Sequence, residues 1–210
     1  MGPMRPERIP LFPLDVVLLP GTHLPLHIFE LRYRHMVRRC IEESSEFGIL
    51  LALPNGVAGV GCTAEIIEVI KPYEDGKMDI QTIGRAPFQV TELFTGNPLL
   101  EGRVNYLEGG DEPIAEPVER ELIELYAACY TLVFGDFPRD IEERKKAGLA
   151  YQVAAALPMD LLWKQQILEL RSEPDRQNRL VALLRGWVPH LQKANQMRAC
   201  AGGNGHGLKN

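Results

Sequence analysis

Two halves with different hydrophobic periods predict an α+β protein, a β-rich N-terminal half of about six strands and one helix followed by a helical bundle. Three observations carry this. Apolar runs of strand length, punctuated by Gly, Pro, Asn and Asp, fill residues 9–107. A composition break, Gly109-Gly110-Asp111-Glu112-Pro113, follows them. Beyond it the apolar period changes from two to 3.6 residues, the spacing of a helix face. The expected organisation is a flexible N-terminus over 1–8, a β-rich domain over 9–108, a linker over 109–116, a helical bundle over 117–198 and a disordered Gly-rich tail over 199–210.

The elements follow in order. Val16 to Leu19 reads as an apolar strand, and Pro20-Gly21 as a turn into a second run, Leu24 to Phe29. A helix opens near Glu30 and carries Tyr33, Met36, Val37, Cys40 and Ile41 on one face. Phe47 to Leu53 is a continuous apolar run of strand length, ended by Pro54-Asn55-Gly56. Cys62 to Ile70 alternates as a strand, and the Asp75-Gly76 pair turns it back into Met78 to Ile83. Gly84-Arg85 interrupts, Phe88 to Phe94 resumes with Pro87 at an edge or bulge, and Leu99 to Leu107 is one more strand.

In the second half, Val118, Leu122, Leu125, Cys129, Leu132 and Val133 line a helix starting near Pro117 and stopped by Gly135 to Pro138. The order Glu142-Glu143-Arg144-Lys145-Lys146 suits another helix, with Gly148 as its punctuation. Leu149 to Leu157 and Asp160 to Leu170 follow as helices. A last helix opens at Asp175 and carries Leu180, Leu183, Leu184 and Trp187, with Pro189 expected to kink or stop it.

Composition narrows the function. With 210 residues, 45% hydrophobic and 24% charged, the chain can bury a real core. A net charge of -5 argues against a dedicated nucleic-acid binder. Arg32, Arg34, Arg38 and Arg39 read as a solvated helix face, with contact to phosphates as the other reading. Cys40, Cys62, Cys129 and Cys200 show no CxxC pairing, and Cys40 and Cys129 read as small core residues. No apolar run approaches membrane-spanning length, and prolines interrupt any signal-like segment, so the expected compartment is the cytoplasm.

Catalytic motifs are missing. No lysine sits in a G-x-x-x-x-G-K-[ST] loop, and Ser44, Ser45 and Ser172 lie in no G-x-S-x-G turn. His23 and His27 share a face if strand, but no glutamate accompanies them, and no metal or cofactor is expected there. Glu30, where strand becomes helix, reads either as helix-start electrostatics or as a polar contact at a binding surface.

The opening stretch, PLFPL at Pro10 to Leu14, VLLPG at Val17 to Gly21 and PLHIFELRYRHM at Pro25 to Met36, resembles the Lon N-terminal substrate-binding domain family. The resemblance continues through Phe47 to Leu50, Gly61 to Ile66, Asp75-Gly76 and the GRxxFxV pattern of Gly84, Arg85, Phe88 and Val90. It extends to Lys164-Gln165 and Arg179-Leu180, so that it covers roughly residues 9 to 190.

It implies a PUA-like pseudo-barrel and a non-catalytic protein that recognises unfolded or partner polypeptides independently of ATP. An adaptor role linked to degradation, with a separate ATP-dependent protease as partner, follows from the same likeness. The expected polypeptide contacts are Phe29, Glu30, Arg32 and Tyr33 at the entry of the first helix, on the rim of a groove between barrel and bundle, together with Arg85 of the GRxxFxV pattern. The alternative from another class is an RNA-binding module, since PUA-like barrels elsewhere bind RNA.

Overall fold

The computed structural model describes residues 5–95, 98–107, 109, 115–139 and 148–203. Among these, six strands and five helices form a mixed α+β fold. Two compact units divide it, one made of residues 1–110 with 159–171 and the other of 111–158 with 172–210.

The first unit holds strands β1 (Arg8–Leu14), β2 (His23–Ile28), β3 (Phe47–Leu53), β4 (Gly56–Pro72), β5 (Met78–Phe94) and β6 (Glu101–Tyr106), with helix α1 (Leu31–Glu43). The sheet order is β2-β5-β4-β3-β1-β6, and β5 also pairs with β6. That extra pairing closes β5, β4, β3, β1 and β6 into a barrel and leaves β2 added outside on β5. Closure removes most sheet edges; β2 keeps one unpaired side, as does β4 beyond Ala64, where only β5 pairs with it.

Several sequence expectations hold and several are corrected. Phe47 to Leu53 is the strand expected, and it runs parallel to β1. The Asp75-Gly76 turn forms, with Gly76 at φ +81°, the left-handed region that glycine occupies without strain. Val16 to Leu19, however, is not a strand. The strand lies just before it, in the proline-containing Arg8–Leu14. Two prolines are tolerated because β1 changes partner midway: Arg8 to Pro10 pair with β6 and Leu11 to Leu14 with β3. Each half thus pairs with one strand only, apart from the Leu11 N–H, which donates to the Leu100 carbonyl at 2.8 Å.

Val17, Leu18 and Leu19 are buried all the same, as a loop whose Leu19 carbonyl accepts the Thr22 hydroxyl at 2.6 Å. Pro6 to Arg8, expected to be loose, are tied down. Tyr106 donates to the Pro6 carbonyl at 2.9 Å, and Val104 N–H donates to that of Glu7 at 2.7 Å.

Gly84 to Pro87 do not interrupt β5, which is continuous over 17 residues. The ladder with β4 slips between Cys62 and Ala64, opposite Pro87. The buried Thr63 hydroxyl then accepts the Ala86 N–H at 3.0 Å, so a proline bulge leaves no orphan donor there. The helix α1 buries Tyr33, Met36, Val37 and Cys40 as expected, while Ile41 is exposed.

Inside the barrel, Ile9, Leu11, Leu50, Phe88 and Val104 form a buried cluster. The Phe88 ring lies against the backbone of two glycines. A Cβ on Gly48 would sit 2.6 Å from Phe88 Cζ, and one on Gly61 would sit 2.8 Å from the same atom. Helix α4 (Leu161–Glu169) belongs to this unit, although the bundle was expected to contain it. Asp160 caps it by accepting Leu162 N–H at 2.7 Å, and Gln165 donates to the Val60 carbonyl of β4 at 3.0 Å.

The second unit contains α2 (Glu116–Phe134), α3 (Leu149–Ala156) and α5 (Glu173–Gly203). Gly135, at φ +77°, ends α2, whose buried face is Leu122, Tyr126 and Cys129. Glu173 ties α3 to α5. Its carboxylate accepts the Ala150 N–H at 2.9 Å and the Arg176 Nε at 2.9 Å. It thereby satisfies a first-turn donor of α3 that the N-cap Gly148 has no side chain to reach. Pro189 does not stop α5, which continues to Gly203 and so into the tail expected to be disordered. The expected helix around Glu142 to Lys146 lies outside the described residues, as do most of the linker and residues 204–210.

Two substitutions test the barrel core. Phe88→Ala should lower unfolding free energy by about 3–5 kcal/mol through the cavity it leaves. Gly61→Ala should cost about 1–3 kcal/mol, because its Cβ meets the Ile49 carbonyl as well as Phe88. Gly59→Ala, with open space at its Cβ, serves as the neutral control in the same urea titration.

Candidate functional site

Where β2 hands over to α1 the chain leaves large apolar side chains in solvent. Phe29 is 57% exposed and Leu31 is 59% exposed. Isolated exposed apolar residues are ordinary, but Phe29 lines a concave surface. A groove of about 510 Å³ is lined by Phe12, Leu14, Leu26, Phe29 and Tyr33, with Arg32 and Glu30 among its polar residues. Its volume falls in the range that accepts side chains of a ligand.

Each wall has a local cause. Phe12 of β1 stacks on Tyr33 of α1, ring centroids 3.9 Å apart and 22° between planes. This contact docks the first turn of the helix, and Tyr33 is only 6% exposed. Burial pushes the Tyr33 hydroxyl up, with Arg32 pulling it partly back. Arg32 lies over the Tyr33 ring at 4.6 Å, a cation–π distance. Its Nε donates to Glu30 Oε2 at 2.9 Å. Glu30 occupies the N-cap position but makes no capping bond with its side chain, so its carboxylate holds Arg32 instead.

The other wall is β2. Leu26 and His27 line the groove, and His27 Nδ1 donates to Asp79 Oδ1 at 2.5 Å. Tyr73 donates to the second oxygen of Asp79 at 2.8 Å. These two donors, His27 first, hold the Asp79 carboxyl below the usual carboxylate range. The same bond pushes the Tyr73 hydroxyl up. His27 also stacks on Phe29, with centroids 6.0 Å apart, so the hydrogen bond between His27 of β2 and Asp79 of β5 supports the exposed ring.

Four residues singled out in the sequence, Phe29, Glu30, Arg32 and Tyr33, therefore line one groove. Arg85 is not among its lining residues; it pairs with Glu65 of β4 at 2.5 Å. Sequence reasoning missed Phe12, Leu14, Leu26 and Leu100 as wall residues. The PLFPL signature could have pointed to Phe12 and Leu14, while Leu100 carried no signal.

The four arginines of α1 do not act together. Arg32 pairs with Glu30, Arg39 lies 3.9 Å from Glu43, and the guanidiniums of Arg34 and Arg38 lie against Gly76 of the β4–β5 turn. Other chemistry is sparse. Among the described residues, no group of three or more His, Cys, Asp or Glu could hold a metal, and no helix is long and apolar enough to cross a membrane. Cys40, Cys62 and Cys129 are buried free thiols, and burial raises each, Cys129 to about 11.

Comparison with known proteins shows what this chain is similar to. Residues 8–186 match the ATP-dependent protease La (LON) substrate-binding domain. Lon protease of Escherichia coli (strain K12) is 26% identical over 219 residues, a match to 94% of this chain and 27% of that protein. The chain thus spans about a quarter of the length of that curated relative. The crystal structure of a Lon N-terminal domain protein from Xanthomonas campestris is 26% identical at a TM-score of 0.67, covering 83% of this chain and 97% of the other. The N-terminal domain of a Mycobacterium avium complex Lon protease, 17% identical, shares the fold at a TM-score of 0.63, covering 85% and 98%.

Two measurements check the local chemistry. Asp79→Asn should destabilise β2, because a depressed carboxyl contributes stability above its unfolded value, about 4, that is lost as pH falls through its folded value. The stability gap between wild type and Asp79→Asn should be constant from about pH 6 to pH 5 and shrink below about pH 4. In a Cys200→Ser background, a water-soluble thiol reagent should label nothing in native protein and all three remaining cysteines after denaturation.

Proposed function

Because the chain belongs to the Lon substrate-binding domain family, we infer that it binds unfolded or partner polypeptides in the groove at the start of α1 and performs no catalysis itself. The observation that carries the reading is the convergence of Phe29, Glu30, Arg32 and Tyr33 on one open apolar groove beside a strand with an unpaired side. An extended segment would gain from burying apolar side chains against Phe29, Leu26 and Phe12. It would gain further by pairing its backbone with β2, the mode in which main-chain bonds add affinity and side-chain slots add specificity. Pro25 within β2 removes one donor, which limits indiscriminate edge pairing.

A role as an adaptor that passes polypeptides to a separate ATP-dependent protease is part of the same proposal, supported by the family alone. The RNA reading draws no support from the arginines of α1, since they are drawn to different partners rather than aligned along one track.

The test is anisotropy of a labelled, permanently unfolded polypeptide titrated with the full chain. Saturable binding that survives moderate salt is expected, and Phe29→Ala should weaken it roughly five- to thirtyfold, the loss of about 1–2 kcal/mol from an exposed anchor. Phe29 is exposed, so this variant should unfold at the wild-type temperature. Absence of saturable binding by the wild type overturns the reading.

A further inference from the structure

Strand β4 loses a neighbour partway along. From Gly56 to Ala64 it pairs with β3, but over residues 65–72 only β5 pairs with it. The cause lies upstream. The chain leaving α1 turns at Ser44, in the left-handed region at φ +50°, and β3 begins only at Phe47, opposite Ala64. A depression of about 300 Å³ stands beside the open stretch, lined by Cys40, Ile41, Ser44 and Ser45 on one side and by residues 65–69 of β4 on the other.

This edge is unusually apolar. Ile67, Val69 and Ile70 are all exposed, and so is Ile41 across the depression. The β4–β5 register shifts around Ile67 and again around Ile70, so each is the extra residue of a bulge with no cross-strand neighbour on β5 to pack against. Charge is sparse and balanced. Within residues 66–72 the ionisable side chains are Glu68 and Lys71, one of each sign. Neither makes an ion pair among the described residues, although Lys71 lies over the Tyr73 ring at 4.7 Å. The surrounding carboxylates are taken: Arg85 holds Glu65, and His27 and Tyr73 hold Asp79, the residue opposite Lys71 on β5.

We propose that the occupant of this edge is a second copy of the chain, with β4 antiparallel to its counterpart about a two-fold axis between Val69 and Ile70. Such a pair is self-complementary: what residue i meets on its partner, the partner's residue i meets in return. Here Glu68 faces the partner's Lys71 and Val69 faces the partner's Ile70, so both unpaired charges find their opposite and the exposed aliphatic groups cover each other. Moving the axis by half a residue either way sets Lys71 against an aliphatic side chain, and centring it on Glu68 opposes two carboxylates. The contact is short, about 23 Å for seven residues, which makes the association weak rather than permanent. The groove beside Phe29 adjoins β2, on the far side of β5, and stays open in the pair.

Sedimentation velocity of the full chain from about 5 to 500 µM should show a monomer–dimer equilibrium with a dissociation constant of roughly 10–300 µM. Glu68→Lys and Lys71→Glu should each weaken it roughly tenfold, because two opposite-charge pairs become two like-charge pairs. The double exchange Glu68→Lys with Lys71→Glu should restore it, and Ile70→Glu should remove it. These side chains are exposed, so the variants should unfold near the wild-type temperature. In the unaltered chain, amide exchange over residues 65–72 should slow as concentration rises, a readout that needs no variant. A monomer at every concentration overturns the proposal and makes the bulges the device that keeps this edge single. A dimer indifferent to the charge reversals and to Ile70→Glu, or one that the double exchange fails to restore, overturns it as well, since the copies then meet elsewhere or in another register.

Discussion

The Phe88 ring pressed against Gly48 and Gly61 is the constraint on which the barrel depends. A closed sheet of five strands has an interior with room for few large side chains, and here one ring fills the space that two glycines leave. The fit fixes the register of β5 against β4, where Gly61 is the residue opposite Phe88. Once that register is set, the 17 residues of β5 reach three neighbours: β2 over Met78 to Ile83, β4 over Met78 to Gln89 and β6 over Phe88 to Phe94. Closure is thus a property of one long strand and the core residue at its middle.

Closure also decides where the candidate site can be. With most edges consumed, the unpaired side of β2 is one of the stretches of exposed main chain that remain in the sheet, beside the second half of β4. The helix α1 leaves from its end and is docked by the Phe12–Tyr33 stack, which binds helix to barrel at the point where the groove opens. Phe29 and Leu31 bracket that junction; Leu31 cannot follow Tyr33 inward because two residues apart on a helix face away from each other, and Phe29 lies ahead of the helix, just past β2.

Polar groups do structural work where backbone regularity fails. Thr63 satisfies the donor freed at the proline bulge of β5, Gln165 ties α4 to β4, and Glu173 completes the first turn of α3. Each is a buried polar side chain with a named partner, the condition under which burial of such groups is tolerated. Lys164-Gln165, a pair singled out by resemblance, finds its physical reason here: the glutamine is a tether, and burial lowers the lysine beside it.

Local patterns determined much of this protein. The period of α1, the Asp75-Gly76 turn, the β3 run, the Gly135 stop and the cluster Phe29, Glu30, Arg32 and Tyr33 depend on neighbours within a few residues, and all were legible in the chain. What tertiary structure decided are the features whose cause lies far away in sequence. A proline-rich segment became β1 because two different partners, β6 and β3, each took half of it. The apolar Val16 to Leu19 became a buried loop, since hydrophobicity specifies burial but not backbone conformation. Continuity of β5 through Pro87 needed a hydroxyl from Thr63, and the groove walls needed Phe12 and Leu100 brought beside α1. Sequence periodicity reports which side chains must leave water; only the assembled sheet decides which partner they meet when they do.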